Sequence, residues 1–94
     1  MNTAVMLRQR CVFSGRVQGV GFRYTVQNLA LQYDVTGYVR NLADGGAELV
    51  MEGPEEEMAS LLADIRNKMN AYIKKIDIEN CPATGQFARF CIRH

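Results

Sequence analysis

Two apolar stripes at helical spacing, each set between segments that read as strands, constrain this chain more than any other feature. Phe22, Val26, Leu29, Ala30 and Tyr33 fall at i, i+4, i+7, i+8 and i+11, one stripe on a helix of about three turns that exits at Asp34. Met58, Leu61, Leu62, Ile65 and Met69 draw the second. Gly53-Pro54 and the acidic run Glu55, Glu56 and Glu57 announce its start, because proline is tolerated in a first turn and carboxylates there complement the helix dipole. That run therefore reads as a solvated helix start rather than a metal or substrate site. Cys11, Val12 and Phe13 suit a first strand over 8–14, and residues 35–41 and 47–52 flank Asp44-Gly45-Gly46 as an antiparallel hairpin. Ile76 and Ile78 alternate with Lys75, Asp77 and Glu79, and after Pro82 and Gly85 the run from Phe87 to Arg93 alternates again.

The resulting order is βαββαβ with an extra C-terminal strand. It predicts an α+β ferredoxin-like sandwich, an antiparallel sheet with both helices covering one face. Ninety-four residues, 48% of them hydrophobic, make one domain over 1–94 with a core that needs no metal or disulfide staple. A net charge of +1 without a long run of like charge gives no electrostatic ground for nucleic acid or an anionic membrane as partner. Residues 1–10 lack the apolar centre of a signal peptide, and no apolar run approaches a membrane span, so a cytosolic location is expected.

Cys11, Cys81 and Cys91 form no CxxC pair and have no histidine at ligand spacing, which argues against zinc or a redox dithiol. All three read as reduced structural residues, and no Cys11–Cys91 bridge is expected, since it would require neighbouring strands. His94, the sole histidine, reads as solvated at the chain end and is a poor general base. Val20-Gly21-Phe22 faintly resembles an RNA-binding aromatic run, but it falls between a strand and a helix, where its aromatic residue could not stack on bases.

The segment from Gly15 to Arg23, Gly-Arg-Val-Gln-Gly-Val-Gly-Phe-Arg, joins the first strand to the first helix. Its glycines would let the amides of Arg16, Val17, Gln18, Gly19, Val20 and Gly21 turn toward one oxyanion at a helix N-terminus. Walker A chemistry needs a Gly-Lys-Ser/Thr ending, and here Gly-Phe-Arg stands instead. A dinucleotide fingerprint needs a third glycine where Tyr24 stands, and a parallel βαβ context. Arg23 suits a single phosphoryl group, since its planar fork donates two parallel hydrogen bonds. The same residues equally describe a glycine-rich turn beside a solvent-facing arginine. Gly19 and Gly21 likewise serve a close backbone approach to phosphate oxygens, a sharp turn at positive φ, or both.

Taken with Gly37-Tyr38-Val39-Arg40-Asn41 and Asp44-Gly45, Gly15 to Tyr24 resembles the paired signatures of the acylphosphatase family. The likeness extends in order to Glu52-Gly53-Pro54 and the Phe90-Cys91-Ile92-Arg93 ending. It implies a ferredoxin-like fold and hydrolysis of the carboxyl-phosphate bond of small-molecule acyl phosphates, with no metal or other cofactor. It also implies that Arg23 binds the phosphoryl group, Asn41 positions the attacking water, and the loop from Arg16 to Gly21 forms the cradle. These roles are chemically reasonable: an acyl phosphate is already activated, so holding the phosphoryl group and aiming water is most of the task. The amide oxygen of an asparagine can accept from that water. The alternative for Asn41 is an ordinary turn-entry residue, and for the whole chain a non-catalytic phosphate or acyl-phosphate binding module. Arg40 should face the opposite side of its strand, outside the site. Nothing calls for a dimer, so a monomer is expected. Two departures from the family pattern stand out. Lys68-Met69-Asn70-Ala71 replaces a Gly-Pro-containing turn, and Gly46, where a β-branched or polar residue is common, should loosen the hairpin without touching the cradle.

Overall fold

The computed structural model describes residues 6–94; Met1–Val5, part of the stretch weighed against a signal peptide, lie outside the described residues. The elements follow as β1 (Met6–Gly15), α1 (Phe22–Ala30), β2 (Thr36–Asn41), β3 (Ala47–Pro54), α2 (Glu55–Lys68), β4 (Ile73–Pro82) and β5 (Phe90–Arg93). They form a five-stranded sheet ordered β4-β1-β3-β2-β5, with β1 and β3 paired at its centre. Pairing is antiparallel from β4 through β2. The extra strand departs from the expected all-antiparallel sheet: β5 joins β2 in parallel, so the sheet is mixed. A parallel neighbour requires a crossover. Residues 83–89 provide it, carrying the chain from one edge of the sheet to the other over the face the helices leave open.

One face carries the core. Cys11, Phe13, Val39, Leu49 and Met51 from the sheet pack with Phe22, Val26 and Ala30 of α1 and Met58, Leu61 and Ile65 of α2, all buried. Each such aliphatic or aromatic side chain contributes about 1.5–3 kcal/mol relative to exposure, so the two stripes fix which side of each helix meets the sheet. The first helix is shorter than its stripe. It ends at Ala30, and Gln32 and Tyr33 donate to Leu29 O and Ala30 O at 3.1 Å, a tighter turn that keeps Tyr33 against the core. In α2, Pro54 is the N-cap and the three glutamates fill the first turn, with Glu55 and Glu56 exposed. Its exit is closed by Tyr72 N and Ile73 N, both donating to Met69 O, so no Gly-Pro turn is needed there.

The open face buries two carboxylates on β3, Glu48 and Glu52, each 4% exposed. Glu48 accepts from Arg10 Nε at 2.5 Å, Arg40 Nε at 2.6 Å and the Tyr38 hydroxyl at 3.1 Å. Glu52 accepts from Thr84 N, Thr84 Oγ1 and Gly85 N at 2.7–3.0 Å, with Arg8 at 3.8 Å. Burial alone would raise both carboxyl pKa values, but these donors outweigh it and hold both below the ordinary 4.5. Phe87, expected in the last strand, sits instead in the crossover, where its ring meets Tyr38 edge-on at 5.9 Å and the Arg8 guanidinium at 5.3 Å. The Glu52 contacts hold that crossover down, and strand pairing resumes at Phe90.

Of the three free cysteines, Cys11 is buried, and burial pushes its thiol up to about 12. Cys81 is exposed at the end of β4 and supports no core, contrary to its structural reading, and Cys91 is half-buried. β1 and β5 are not neighbours, and the two thiols expected to stay unbridged are both free.

Candidate active site

Strand pairing brings three connections to one end of the sheet. Gly15 pairs with Ile73, Phe13 and Asn41 both pair with Ala47, and Arg40 pairs with Arg93. The β1–α1 loop, the β2–β3 hairpin, the α2–β4 turn and the end of β5 therefore share that edge.

The loop is held from within by apolar anchors. Val17 is 1% exposed, and the rings of Phe13 and Phe22, on either side of the loop, meet edge-on with centroids 5.0 Å apart. Between the anchors, Gly19 and Gly21 both take φ of +76°, and no protein atom lies within 4 Å of a Cβ built at either. Positive φ thus accounts for the two glycines, and the space in front of them is open. Gly21 caps α1, and its carbonyl accepts from Thr25 N at 3.0 Å. Residues 18–21 form turns, but the amides of residues 17–24 make no well-aligned backbone hydrogen bond among the described residues, so the free donors of the helix start run on into the loop. Arg16 differs from the expected cradle residue. Its amide donates to Tyr72 O at 2.9 Å, which leaves Val17 as the first amide free to meet an anion.

The contact that registers the loop against the hairpin is one the sequence did not disclose. The Gln18 side-chain amide donates to Leu42 O at 2.7 Å and Gly46 O at 2.9 Å. Gly46 is therefore no loosening residue. Its carbonyl receives both Gln18 and Leu42 N, and a Cβ there would stand 2.8 Å from Phe13 O, so bare backbone is what fits. A side-chain amide in a glycine-rich loop is the sole sequence hint of this tie, and its acceptors lie 24 and 28 residues away.

Asn41 ends β2, one residue before Leu42. Its Oδ1 is buried and has no hydrogen-bond partner. Strand alternation places it with Val39 on the helix side, while Arg40 turns to the open face and binds Glu48, as expected. Leaving a buried acceptor unmatched costs about 1–3 kcal/mol, which a fold retains where the group has other work.

Arg23 sits in the first turn of α1, partly exposed, and its Nη1 donates to Arg93 O at 3.4 Å. Since Arg93 pairs with Arg40, the guanidinium is anchored to the strand neighbour of the residue preceding Asn41. The same Nη1 stands 3.1 Å from His94 Nδ1, an acceptor when the imidazole proton is on Nε2. His94 is thus exposed, as the sequence suggested, but rests on Arg23 rather than free in solvent. Among the described residues, no three His, Cys, Asp or Glu side chains converge as a metal site, and no helix is long and apolar enough to cross a membrane.

A ferredoxin-like domain with a run of unpaired amides beside an arginine, and an unpartnered asparagine oxygen at the same sheet end, is suited to gripping one small oxyanion together with a water molecule. Comparison with known proteins gives that class a family. Residues 9–92 match the family model described as Acylphosphatase, and the chain belongs to the acylphosphatase family. It is 39% identical over 91 residues to a protein named acylphosphatase from Clostridium beijerinckii, covering 95% of this chain and all of that one. The crystal structure of acylphosphatase from Bacillus subtilis superposes with a TM-score of 0.85 at 33% identity, covering 94% of this chain and 99% of that one. An acylphosphatase from Coxiella burnetii gives a TM-score of 0.84 at 27% identity, over 99% and 100% of the two chains.

Proposed function

We propose that this protein is an acylphosphatase that cleaves the carboxyl-phosphate bond of small acyl phosphates, releasing carboxylate and inorganic phosphate. The run of amides without backbone partners that faces open space beside the Arg23 guanidinium carries this reading, and Asn41 at the same sheet end has a side-chain oxygen that no protein donor satisfies. The amides from Val17 onward and the Arg23 guanidinium grip the phosphoryl oxygens, and Arg23 exchanges its contact with His94 for the substrate. Water oriented by the Asn41 side chain attacks phosphorus on the side opposite the acyl oxygen, one of its protons passes to a phosphoryl oxygen, the P–O bond to the acyl group breaks, and the carboxylate leaves with the bonding pair, giving dihydrogen phosphate. The leaving group is good, so catalysis consists chiefly of positioning and of fixed donors matched to phosphoryl charge. No metal enters this scheme, and the protein acts as a monomer in the cytosol.

Asn41→Ala is expected to lower kcat on benzoyl phosphate by about 10²-fold or more, by analogy with removal of other positioned polar groups, while inorganic phosphate still inhibits or binds. Arg23→Ala loses both binding and turnover. Wild-type protein that binds phosphate but hydrolyses no acyl phosphate would instead be a binding module. Turnover abolished by EDTA would contradict the metal-free scheme.

A further inference from the structure

Beside the cradle, on its β4 side, lies an open cleft of about 520 Å³ lined by Gly15, Arg16, Ala71, Tyr72, Ile73 and Lys74. Resting on the acylphosphatase reading, we infer that this cleft is the acyl subsite and that it favours acyl phosphates whose acyl part carries a second anionic group. The cleft and the cradle share a wall. Arg16 borders the cleft, and the next residue, Val17, is the first with a free amide. Asn41 lies on the β2 side of the loop, so an acyl oxygen opposite the attacking water is directed toward β4, where the cleft begins one residue, about 3.8 Å, before the first free amide.

The two walls are fixed to each other. Arg16 N donates to Tyr72 O at 2.9 Å, and a Cβ on Gly15 would fall 2.3 Å from Tyr72 O and 3.3 Å from Lys74 Cβ, so the strand end and the α2–β4 turn pack backbone to backbone. The lining includes two cations and no carboxylate. Lys75 is paired with Asp77 at 3.5 Å, whereas neither Arg16 nor Lys74 has an ion-pair partner among the described residues. Ala71 is exposed in this lining, and Tyr72 and Ile73, half-buried against the core, leave it part of their surface for the body of an acyl group, with the cations at its border. A charged wall of this kind raises the local concentration of a matching anion and adds modest ion-pair energy at an exposed site.

The test compares kcat/KM for benzoyl phosphate and 4-carboxybenzoyl phosphate, which share one leaving carbonyl and differ in a distal carboxylate. Wild-type protein should prefer the carboxylated substrate by about fivefold, the gain expected of one or two exposed ion pairs. Lys74→Glu should bring that ratio to one or below, and the ratio is the readout because a charge reversal beside the cradle lowers kcat/KM for both anionic substrates to some degree. A wild-type ratio near one, or a ratio that Lys74→Glu does not move, overturns the inference while leaving hydrolysis itself intact. A loss of phosphate inhibition in Lys74→Glu as large as the loss of kcat/KM for the carboxylated substrate also overturns it, because Lys74 would then act on the cradle as a whole. Failure to hydrolyse either substrate overturns the acylphosphatase reading and the subsite with it.

Discussion

The two ends of buried polarity in this molecule are managed in opposite ways. On the open sheet face, Glu48 and Glu52 are as buried as core residues, yet both carboxylates are surrounded by donors from two strands, β1 and β2, and the crossover. At the loop end, Asn41 Oδ1 is buried with no donor at all, and a run of amides beside it is likewise unmatched. Buried polar groups in folded proteins are nearly always satisfied. The first region obeys that rule and holds the sheet and crossover together. The second breaks it within a few residues of an arginine, and that clustering locates the chemistry.

If the contrast is right, deleting a polar group in each region gives opposite readouts. Asn41→Ala should lose about 10²-fold in turnover, while thermal stability stays level or rises, since the substitution removes an unmatched buried acceptor. A melting temperature that falls with activity would place Asn41 in the structural class. Glu48→Ala should do the reverse. It leaves the Tyr38 hydroxyl and two guanidinium groups without their acceptor, and breaking a buried pair costs about 3–5 kcal/mol. The side chains of Arg10 and Arg40 are 44% and 45% exposed and can rehydrate, so about 2 kcal/mol in denaturant unfolding is the better expectation, with turnover near wild type.

Gln18 lies between the two classes, and its effect should be smaller in both measurements. Gln18→Ala removes two hydrogen bonds to hairpin carbonyls, one exposed and one partly buried, for about 1 kcal/mol of stability. Activity should fall by about tenfold, more than the stability change implies, because the loop would lose its registration against Asn41. Gln18→Glu sharpens the point by setting a carboxylate against two carbonyl oxygens, and should be worse than alanine on both counts. Equal, small losses of stability and activity would mean that the apolar anchors Val17 and Phe22 alone position the loop.

What the sequence disclosed of this molecule is what is written in local period and turn chemistry. The stripe through Phe22, Val26 and Ala30, the Asp44-Gly45-Gly46 turn and the alternation after residue 71 gave the element order, and the helix-start and hairpin signals placed the loop and Asn41. The residues that join elements were not legible. Gln18 meets Leu42 and Gly46, and Glu48 meets Arg10 across 38 positions, through side chains whose types also suit exposed loops and strand faces. Phe87 alternates like a strand residue, but its neighbours Thr84 and Gly85 are committed to Glu52, a partner more than thirty residues earlier. The parallel entry of β5 follows from that crossover and has no local sign. Even Gly46, read as a weak point, takes its meaning from Phe13 O on another strand.

The mildest expected effect near neutral pH, and the last separation of the two regions, comes from titration. Glu48 and Glu52 have folded pKa values below the ordinary 4.5, because hydrogen bonds to the charged form outweigh burial. A carboxylate depressed on folding contributes stability that is fully present above its unfolded value and is lost as pH falls through the folded one. Stability should therefore be flat with respect to these groups from neutral pH down to about 5, then decline below 4.5 as both take up protons. In Glu48→Gln the decline should be shallower, since one of the two linked protons is gone. Asn41→Ala should follow the wild-type curve, because an amide has no carboxyl proton to gain. Urea midpoints measured from pH 7 to pH 3 on the three proteins would check this. Coincident slopes for wild type and Glu48→Gln would show that the open-face carboxylates are not what links folding to acid.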